Sequence, residues 1–127
     1  VPFTRARTEP PLDFSVSGVK TALLQYVKKN PEFSLPDTAA SYQAAIVDML
    51  VERALLAAQL TDARHILVGG GVAANTGLQE KLRREAEKRG LTASFPPLSL
   101  CTDNAGMIAA AGHSRLTRGE DHGLALE

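Results

Sequence analysis

The segment that decides the fold reads His65-Ile66-Leu67-Val68-Gly69-Gly70-Gly71-Val72-Ala73-Ala74-Asn75. Its first residues are a short apolar run that stops at three consecutive glycines, which predicts a buried strand at 65–68 followed by a tight turn. A helix then begins at Asn75 or Thr76 and continues to Arg89, where Gly90 is placed to end it. A strand, a glycine turn and a helix in this order form the first part of an α/β crossover.

The downstream sequence completes this crossover. A second strand is predicted at 92–95, because two prolines follow it and cannot continue a ladder. A last helix, made mostly of small residues, is predicted at 105–118 with Asp103 or Asn104 as its N-cap. The fold class is therefore α/β, with helices packed on a small sheet. Two strands are too few for a self-sufficient sheet, so the remaining strands are expected to lie in sequence outside this chain.

Two helices are predicted upstream of the first strand. Apolar residues recur at helical spacing over 15–29 and again over about 39–60, where Asp37 or Thr38 supplies the expected cap. The second helix is apolar over so broad a face that we expect neighbours on more than one side. Residues 1–14 are predicted to be an extended lead-in and 119–127 a flexible tail, with one lobe between them.

Composition excludes several classes of protein. The 127 residues carry 14 basic and 14 acidic side chains, so no global positive charge indicates a nucleic-acid partner. A single cysteine, Cys101, rules out an internal disulfide and fits a reducing compartment. No stretch has the pattern of a signal peptide or the length of a membrane span. We therefore expect a cytoplasmic protein without a membrane partner.

The glycine triplet has two interpretations when it is taken alone. Gly70 and Gly71 let backbone N–H groups come close to a ligand, and the following helix directs its positive end towards an anion or a ribose. A tight strand-to-helix turn without any ligand has the same residues and is the more common case. The segment matches neither a P-loop nor more than the loosest form of the dinucleotide fingerprint.

The second candidate segment is Cys101-Thr102-Asp103-Asn104-Ala105-Gly106-Met107-Ile108-Ala109. A carboxylate and an amide just before a helix can ligate a cation or hold a ribose hydroxyl, but they are also the residue types favoured as plain N-caps. Among other possible ligands, His65, His113 and His122 form no pair one helical turn apart, so each is expected not to bind a metal. The basic residues within 81–89 alternate with glutamates, which favours a solvated helix face over an RNA-binding patch.

Three segments, in this order, resemble the universal family of tRNA N6-adenosine threonylcarbamoyltransferases of the TsaD type. They are the two just described, Gly70 to Asn75 and Cys101 to Ala109, and the earlier Asp13-Phe14-Ser15-Val16-Ser17-Gly18-Val19-Lys20-Thr21. Phe95-Pro96-Pro97 is also similar to the run that precedes the last segment in the family. The likeness covers about residues 13–113, and Val16 and Val19 stand where the family usually has Phe and Leu.

The resemblance implies a fold and a reaction. The fold would be the actin-like ATPase (ASKHA) type, of which this chain would be the C-terminal lobe, incomplete without the N-terminal half. The full-length enzyme would be a metal-dependent transferase that moves threonylcarbamoyl from threonylcarbamoyl-adenylate to the adenosine next to the anticodon, in tRNAs that read codons beginning with A. Its expected partners are the adenylate, tRNA and the other subunits of the t6A-synthesis complex.

The resemblance also assigns roles to particular residues. Asp103 would ligate one divalent metal ion, iron or zinc, shared with an N-terminal H-x-x-x-H motif that is absent here. Asn75 would contact the adenylate, and Gly70 and Gly71 would line its pocket. No residue of this chain is assigned a direct catalytic role.

Two other classes remain open. One is a non-catalytic scaffold paralogue that acts as an interaction module in the same complex, although Asp103 and Asn75 would then have no reason to be retained. The other is a sugar or acetate kinase of the same fold, against which the segment at 101–104 argues. The isolated chain is expected to be inactive and to form a homodimer, because its broad apolar helix and open sheet edges would need cover.

Overall fold

The computed structural model describes residues 1, 3, 12–120 and 123. Within this part of the chain the regular structure consists of four helices and two strands: α1 (Val16–Lys29), α2 (Leu35–Leu60), β1 (His65–Leu67), α3 (Thr76–Glu87), β2 (Thr92–Ser94) and α4 (Ala105–Thr117). Two short 3-10 turns, Gly71–Ala74 and Leu98–Leu100, were not predicted and occupy the segments after the two strands. The α/β class and the order of the elements are confirmed.

The two strands form a parallel sheet joined by α3. Ile66 pairs with Ala93 at the centre of the register, and both side chains pack half-buried against the core. The neighbouring strand residues point to the opposite face of the sheet, because side chains alternate along a strand. On that face Leu67 is 82% exposed. The sheet is therefore covered by helices on one face within the described residues.

Helix α2 lies between two neighbours, as its broad apolar face predicts. Val47, Val51 and Leu55 belong to one core cluster, together with Leu78 and Leu82 of α3. Two further α2 residues, Ala45 and Met49, belong to a second cluster, which contains Val19 of α1. An ion pair between Lys81 and Asp48 adds a polar link between α3 and α2. These contacts fix the start of α3, and with it the turn that precedes α3.

The lead-in segment contains a core residue that its sequence does not reveal. Phe3 is 8% exposed and makes edge-on contacts with Tyr26 and Tyr42, with ring centroids 5.8 and 6.1 Å apart. The N-terminal amine of Val1 donates a hydrogen bond to Ser41 Oγ at 2.9 Å. The predicted extended conformation of residues 4–11 lies outside the described residues, as do residues 121, 122 and 124–127 of the predicted tail.

Two helix boundaries differ from the prediction by more than one residue, and one of them is the end of α3, at Glu87 rather than Arg89. Helix α2 begins at Leu35, four positions before the expected start, and its cap is Ser34 rather than Asp37 or Thr38. The Ser34 side chain accepts a hydrogen bond from Asp37 N at 3.4 Å. Pro36 lies in the first turn, where a helix tolerates proline because the backbone N–H there has no intrahelical partner.

Helix α4 has no buried residue. Its apolar side chains include Ile108 and Leu116, which are 67% and 65% exposed. The described helices include none that is both long and apolar enough to cross a membrane. The large exposed apolar side chains of α4 and of the outer sheet face form a surface that ordinarily contacts other protein.

Candidate functional site

The candidate site lies at one edge of the sheet. The glycine turn follows β1, and the segment that leads to Asp103 follows β2. Because β1 and β2 are parallel, their carboxyl ends meet at the same edge, which is where open α/β sheets bind their ligands. The sheet thus places the start of the glycine turn beside the chain that leaves β2, since Gly69 and Phe95 line one shallow pocket.

The backbone of the glycine turn is anchored to the protein on one side and faces open space on the other. Gly70 has φ 86° and ψ 173°, a combination that is accessible almost exclusively to glycine. The 3-10 turn that follows is anchored by Ala73, which is fully buried and whose carbonyl accepts a hydrogen bond from Gln79 Nε2 at 2.8 Å. A Cβ atom added to Gly69, Gly70 or Gly71 would meet no atom within 4 Å. The turn therefore has a fixed backbone with free space in front of it.

Asn75 is the N-cap of α3. Its Oδ1 accepts a hydrogen bond from Leu78 N at 2.9 Å, and its Nδ2 donates one to Gln43 Oε1 at 3.3 Å. The helix that the sequence predicted to begin at Asn75 or Thr76 therefore begins at Thr76. Asn75 keeps the second hydrogen of Nδ2 and one lone pair of Oδ1 available for a ligand, because each partner engages only part of the amide.

Gln43 and Gly77 are part of this site and were missed by the sequence analysis. Gln43 lies on α2, 32 residues before Asn75 in the sequence. The residues around Gln43 form no recognisable motif. A Cβ on Gly77 would lie 3.3 Å from Asn75 Oδ1 and 3.4 Å from Gln43 Nε2. The one available signal was this glycine inside the first turn of a helix, where alanine is ordinarily favoured.

Asp103 precedes α4 without capping it. The cap is Asn104, whose Oδ1 accepts a hydrogen bond from Met107 N at 3.0 Å and whose Nδ2 donates to Thr102 O at 3.0 Å. Of the two residues offered as caps, the structure thus selects Asn104. The Asp103 side chain is exposed, and its carboxylate is left available as a hard oxygen ligand.

The described residues fit a metal ion incompletely. They contain no group of three or more His, Cys, Asp or Glu side chains that could hold a metal ion. Cys101 is buried, with its thiol near the carbonyl oxygens of Pro96 and Pro97 at 3.8 and 3.6 Å, so it packs as a small core residue. His122 lies outside the described residues. Asp103 suits the role of a single contributing ligand, and one carboxylate alone holds a divalent ion weakly against water.

An apolar cavity of about 370 Å³ adjoins the glycine turn. Phe14 contributes to its wall together with Gly69, Val72 and Leu82, and Arg53 provides a charged side chain. The segment at 13–21 and the glycine turn, which are distant in sequence, therefore meet at this cavity.

The basic face of α3 is largely neutralised. Glu85 pairs with Lys88, Arg89 and Arg84 at 2.8, 3.3 and 3.4 Å. The hydrogen bond from Lys88 lowers the pKa of Glu85 most, and those from Arg89 and Arg84 lower it further. Partial desolvation raises the pKa, and the result of these effects is a pKa of about 2. Glu85 therefore remains ionised at neutral pH, and the pairing agrees with a solvated face rather than an RNA patch. Arg84 pairs with Glu85 rather than with Glu80, although the spacing of four residues between Glu80 and Arg84 is the usual one for an ion pair on a helix.

The described elements form a small α/β unit in which a glycine turn follows β1 and an exposed carboxylate, that of Asp103, precedes α4. The sequence matches the family model of TsaD, the tRNA N6-adenosine threonylcarbamoyltransferases, over residues 1–110. The chain belongs to this family.

Curated relatives agree with this assignment. A tRNA N6-adenosine threonylcarbamoyltransferase of Symbiobacterium thermophilum is 48% identical over 99% of this chain and 38% of its own length. The proteins of the same name from Thermotoga neapolitana and Desulfitobacterium hafniense are 48% and 50% identical, over 87% and 89% of this chain and 34% and 35% of theirs. The chain thus spans little more than a third of the length of the relatives it matches.

Proposed function

We propose that this chain is the C-terminal lobe, of the actin-like ATPase fold, of a transferase that makes t6A in tRNA. The complete enzyme transfers threonylcarbamoyl from threonylcarbamoyl-adenylate to the adenosine next to the anticodon. The observation that carries the proposal is the parallel sheet, from whose carboxyl edge both the glycine turn and the chain leading to Asp103 continue. Membership of the family supports the chemistry, and this arrangement supports the assignment of the two segments to it.

In this proposal the glycine turn and Asn75 bind the adenylate. Gly70 and Gly71 present backbone to the ligand without side chains in the way, and Asn75 offers one N–H of its amide as a donor. A fixed adenylate holds its carbamoyl carbon in place for attack by the adenosine amine. The attack then takes place between two bound groups and is effectively unimolecular. AMP is then the leaving group.

Asp103 is proposed to supply one ligand to an iron or zinc ion whose other protein ligands lie outside this chain. Such a metal, when bound, polarises a carbonyl oxygen as a Lewis acid. Asp103 is free to serve because Asn104 performs the capping. The proposed setting is the cytoplasm, with the other subunits of the t6A-synthesis complex as partners.

The alternative is a non-catalytic scaffold paralogue in the same complex. A scaffold needs neither a glycine restricted to positive φ at an open turn nor an exposed carboxylate beside a separate cap. Gly70 and Asp103 show both features, and they favour the transferase.

Gly71→Ala tests the nucleotide site in the complete protein that contains this segment. Gly71 begins a 3-10 turn outside the positive-φ region, and an added Cβ meets nothing within 4 Å. The free energy of unfolding should therefore stay the same or rise by up to about 1 kcal/mol. The Cβ would project into the space proposed for the adenylate, so we expect the Kd for AMP in calorimetry to rise at least about tenfold, or about 1.4 kcal/mol.

Gly112→Ala is the matched control, since Gly112 also has room for a Cβ and lies in α4. It should leave the Kd for AMP unchanged. Gly70→Ala is less informative because its positive φ adds strain of about 1–3 kcal/mol to the fold. An unchanged AMP affinity in Gly71→Ala would mean that the turn is merely structural.

A further prediction concerns the chain on its own. It should show no transfer activity and no stable metal binding, and it should pair with a second copy. Leu67, Ile108 and Leu116 are among its most exposed apolar side chains, and a symmetric dimer is the simplest way to cover them. Light scattering at micromolar concentration measures the pairing, a transfer assay with the carbamoyl-adenylate measures the activity, and atomic emission on the purified chain measures the metal. A monomer that transfers threonylcarbamoyl would contradict the prediction.

A further inference from the structure

Both ends of the Asn75 side-chain amide are hydrogen-bonded, one to α3, which Asn75 caps, and the other to α2. The N–H of Leu78 fixes Oδ1 from α3, and Gln43 Oε1 accepts a hydrogen from Nδ2 across the gap to α2. An amide has two orientations related by a half-turn, and its partners decide between them. Here the N–H of Leu78, which can only donate, selects the orientation, and Gln43 Oε1 holds Nδ2 on the side of α2. The remaining Nδ2 hydrogen of Asn75 is thereby given a single direction.

Gly77 accounts for how closely the two amides approach. A Cβ at this position would lie 3.3 Å from Asn75 Oδ1 and 3.4 Å from Gln43 Nε2. Alanine would force one of the amides to move, although alanine stabilises a helix by about 0.5–1 kcal/mol relative to glycine. Gly77, although it is unfavourable for the helix, thus leaves room for the side-chain amides of Asn75 and Gln43.

We infer that Gln43 is a positioning residue, which orients the Asn75 amide so that its second N–H is presented to the adenylate. The inference rests on the proposed function, in which Asn75 contacts that ligand. Gln43 itself does not touch the nucleotide in this arrangement and acts through Asn75. Its importance lies in binding rather than in stability, because Gln43 is exposed and one exposed hydrogen bond adds little to folding.

A double-mutant cycle in the complete protein tests this inference, with AMP as the probe. Gln43→Leu removes the acceptor and leaves an apolar side chain that is one atom shorter. Asn75→Ser removes Nδ2 and keeps a residue that caps helices well. We expect Gln43→Leu to raise the Kd for AMP by about threefold to tenfold, the equivalent of one hydrogen bond. In the Asn75→Ser background it should have no further effect.

Gln59→Leu is the matched control, because Gln59 is an exposed glutamine on the same helix. It should leave both the Kd for AMP and the unfolding midpoint unchanged, and Gln43→Leu should leave the midpoint unchanged as well. Equal effects of Gln43→Leu in both backgrounds, or no effect while Asn75→Ser weakens binding, would overturn the positioning role and leave the proposed function intact. Unchanged AMP affinity in Asn75→Ser would overturn the proposed contact and the positioning role together.

Discussion

Asp103→Ala is expected to remove the metal ion and the transfer activity of the complete enzyme while its fold stays nearly normal. Asp103 is exposed and leaves the capping of α4 to Asn104, so its loss should change the free energy of unfolding by no more than about 0.5 kcal/mol. Substitution of residues that merely support metal ligands costs about 10- to 100-fold in affinity or activity. Loss of a ligand should therefore lower kcat/KM by more than about 100-fold.

The neighbouring residues provide controls for this experiment. Thr102→Ala changes an exposed side chain one position away and should retain metal and activity. Asn104→Ala removes the cap of α4, which should cost about 1 kcal/mol of stability without removing the metal. Metal content is measured by atomic emission on the purified proteins. An undiminished metal content in Asp103→Ala would exclude Asp103 as a ligand.

The largest loss of stability is expected from Leu82→Ala. Leu82 lies on α3 and is 1% exposed. It packs against a cluster that includes Val51 and Leu55 of α2. Truncation of a leucine in such a position removes buried apolar surface and leaves a cavity, at a cost of about 2–5 kcal/mol. This is a large part of the total of about 5–15 kcal/mol that is typical of globular proteins.

Leu60→Ala is the matched control, because Leu60 is a helical leucine that is 60% exposed. It should change the free energy of unfolding by less than about 0.5 kcal/mol. Urea denaturation of both variants measures the difference. A change below 1 kcal/mol in Leu82→Ala would mean that the contact between α2 and α3 contributes little to the stability of the lobe.

The sequence predicted the strands and helices around the glycine turn because their signals are local. Apolar runs, glycines and prolines restrict the backbone at the positions where they stand. The start of α2 was misplaced because Pro36 looks like a helix breaker, whereas in the first turn of a helix it disrupts nothing. The burial of Phe3 had no local signal, since its partners Tyr26 and Tyr42 lie on two different helices.

The same distinction applies to the candidate site. Gly70, Gly71, Asn75 and Asp103 were predicted as site residues from the sequence because each lies in a short segment that resembles the family. The sequence left open whether Asp103 or Asn104 caps α4. The structure decided for Asn104, since its side chain accepts the hydrogen bond from Met107 N. Which residue caps a helix depends on the backbone angles at that position. Two neighbouring residues that are both suitable as caps do not determine those angles.

The sequence by itself determined the α/β class, the order of elements and the segments that carry chemistry, because these follow from local spacing and residue type. The tertiary structure alone decided the register in which the two parallel strands pair, with Ile66 beside Ala93. It also alone placed Gln43 of α2 against Asn75. That contact depends on how α2 and α3 pack, and the packing is set by buried side chains spread over both helices, which no local pattern records.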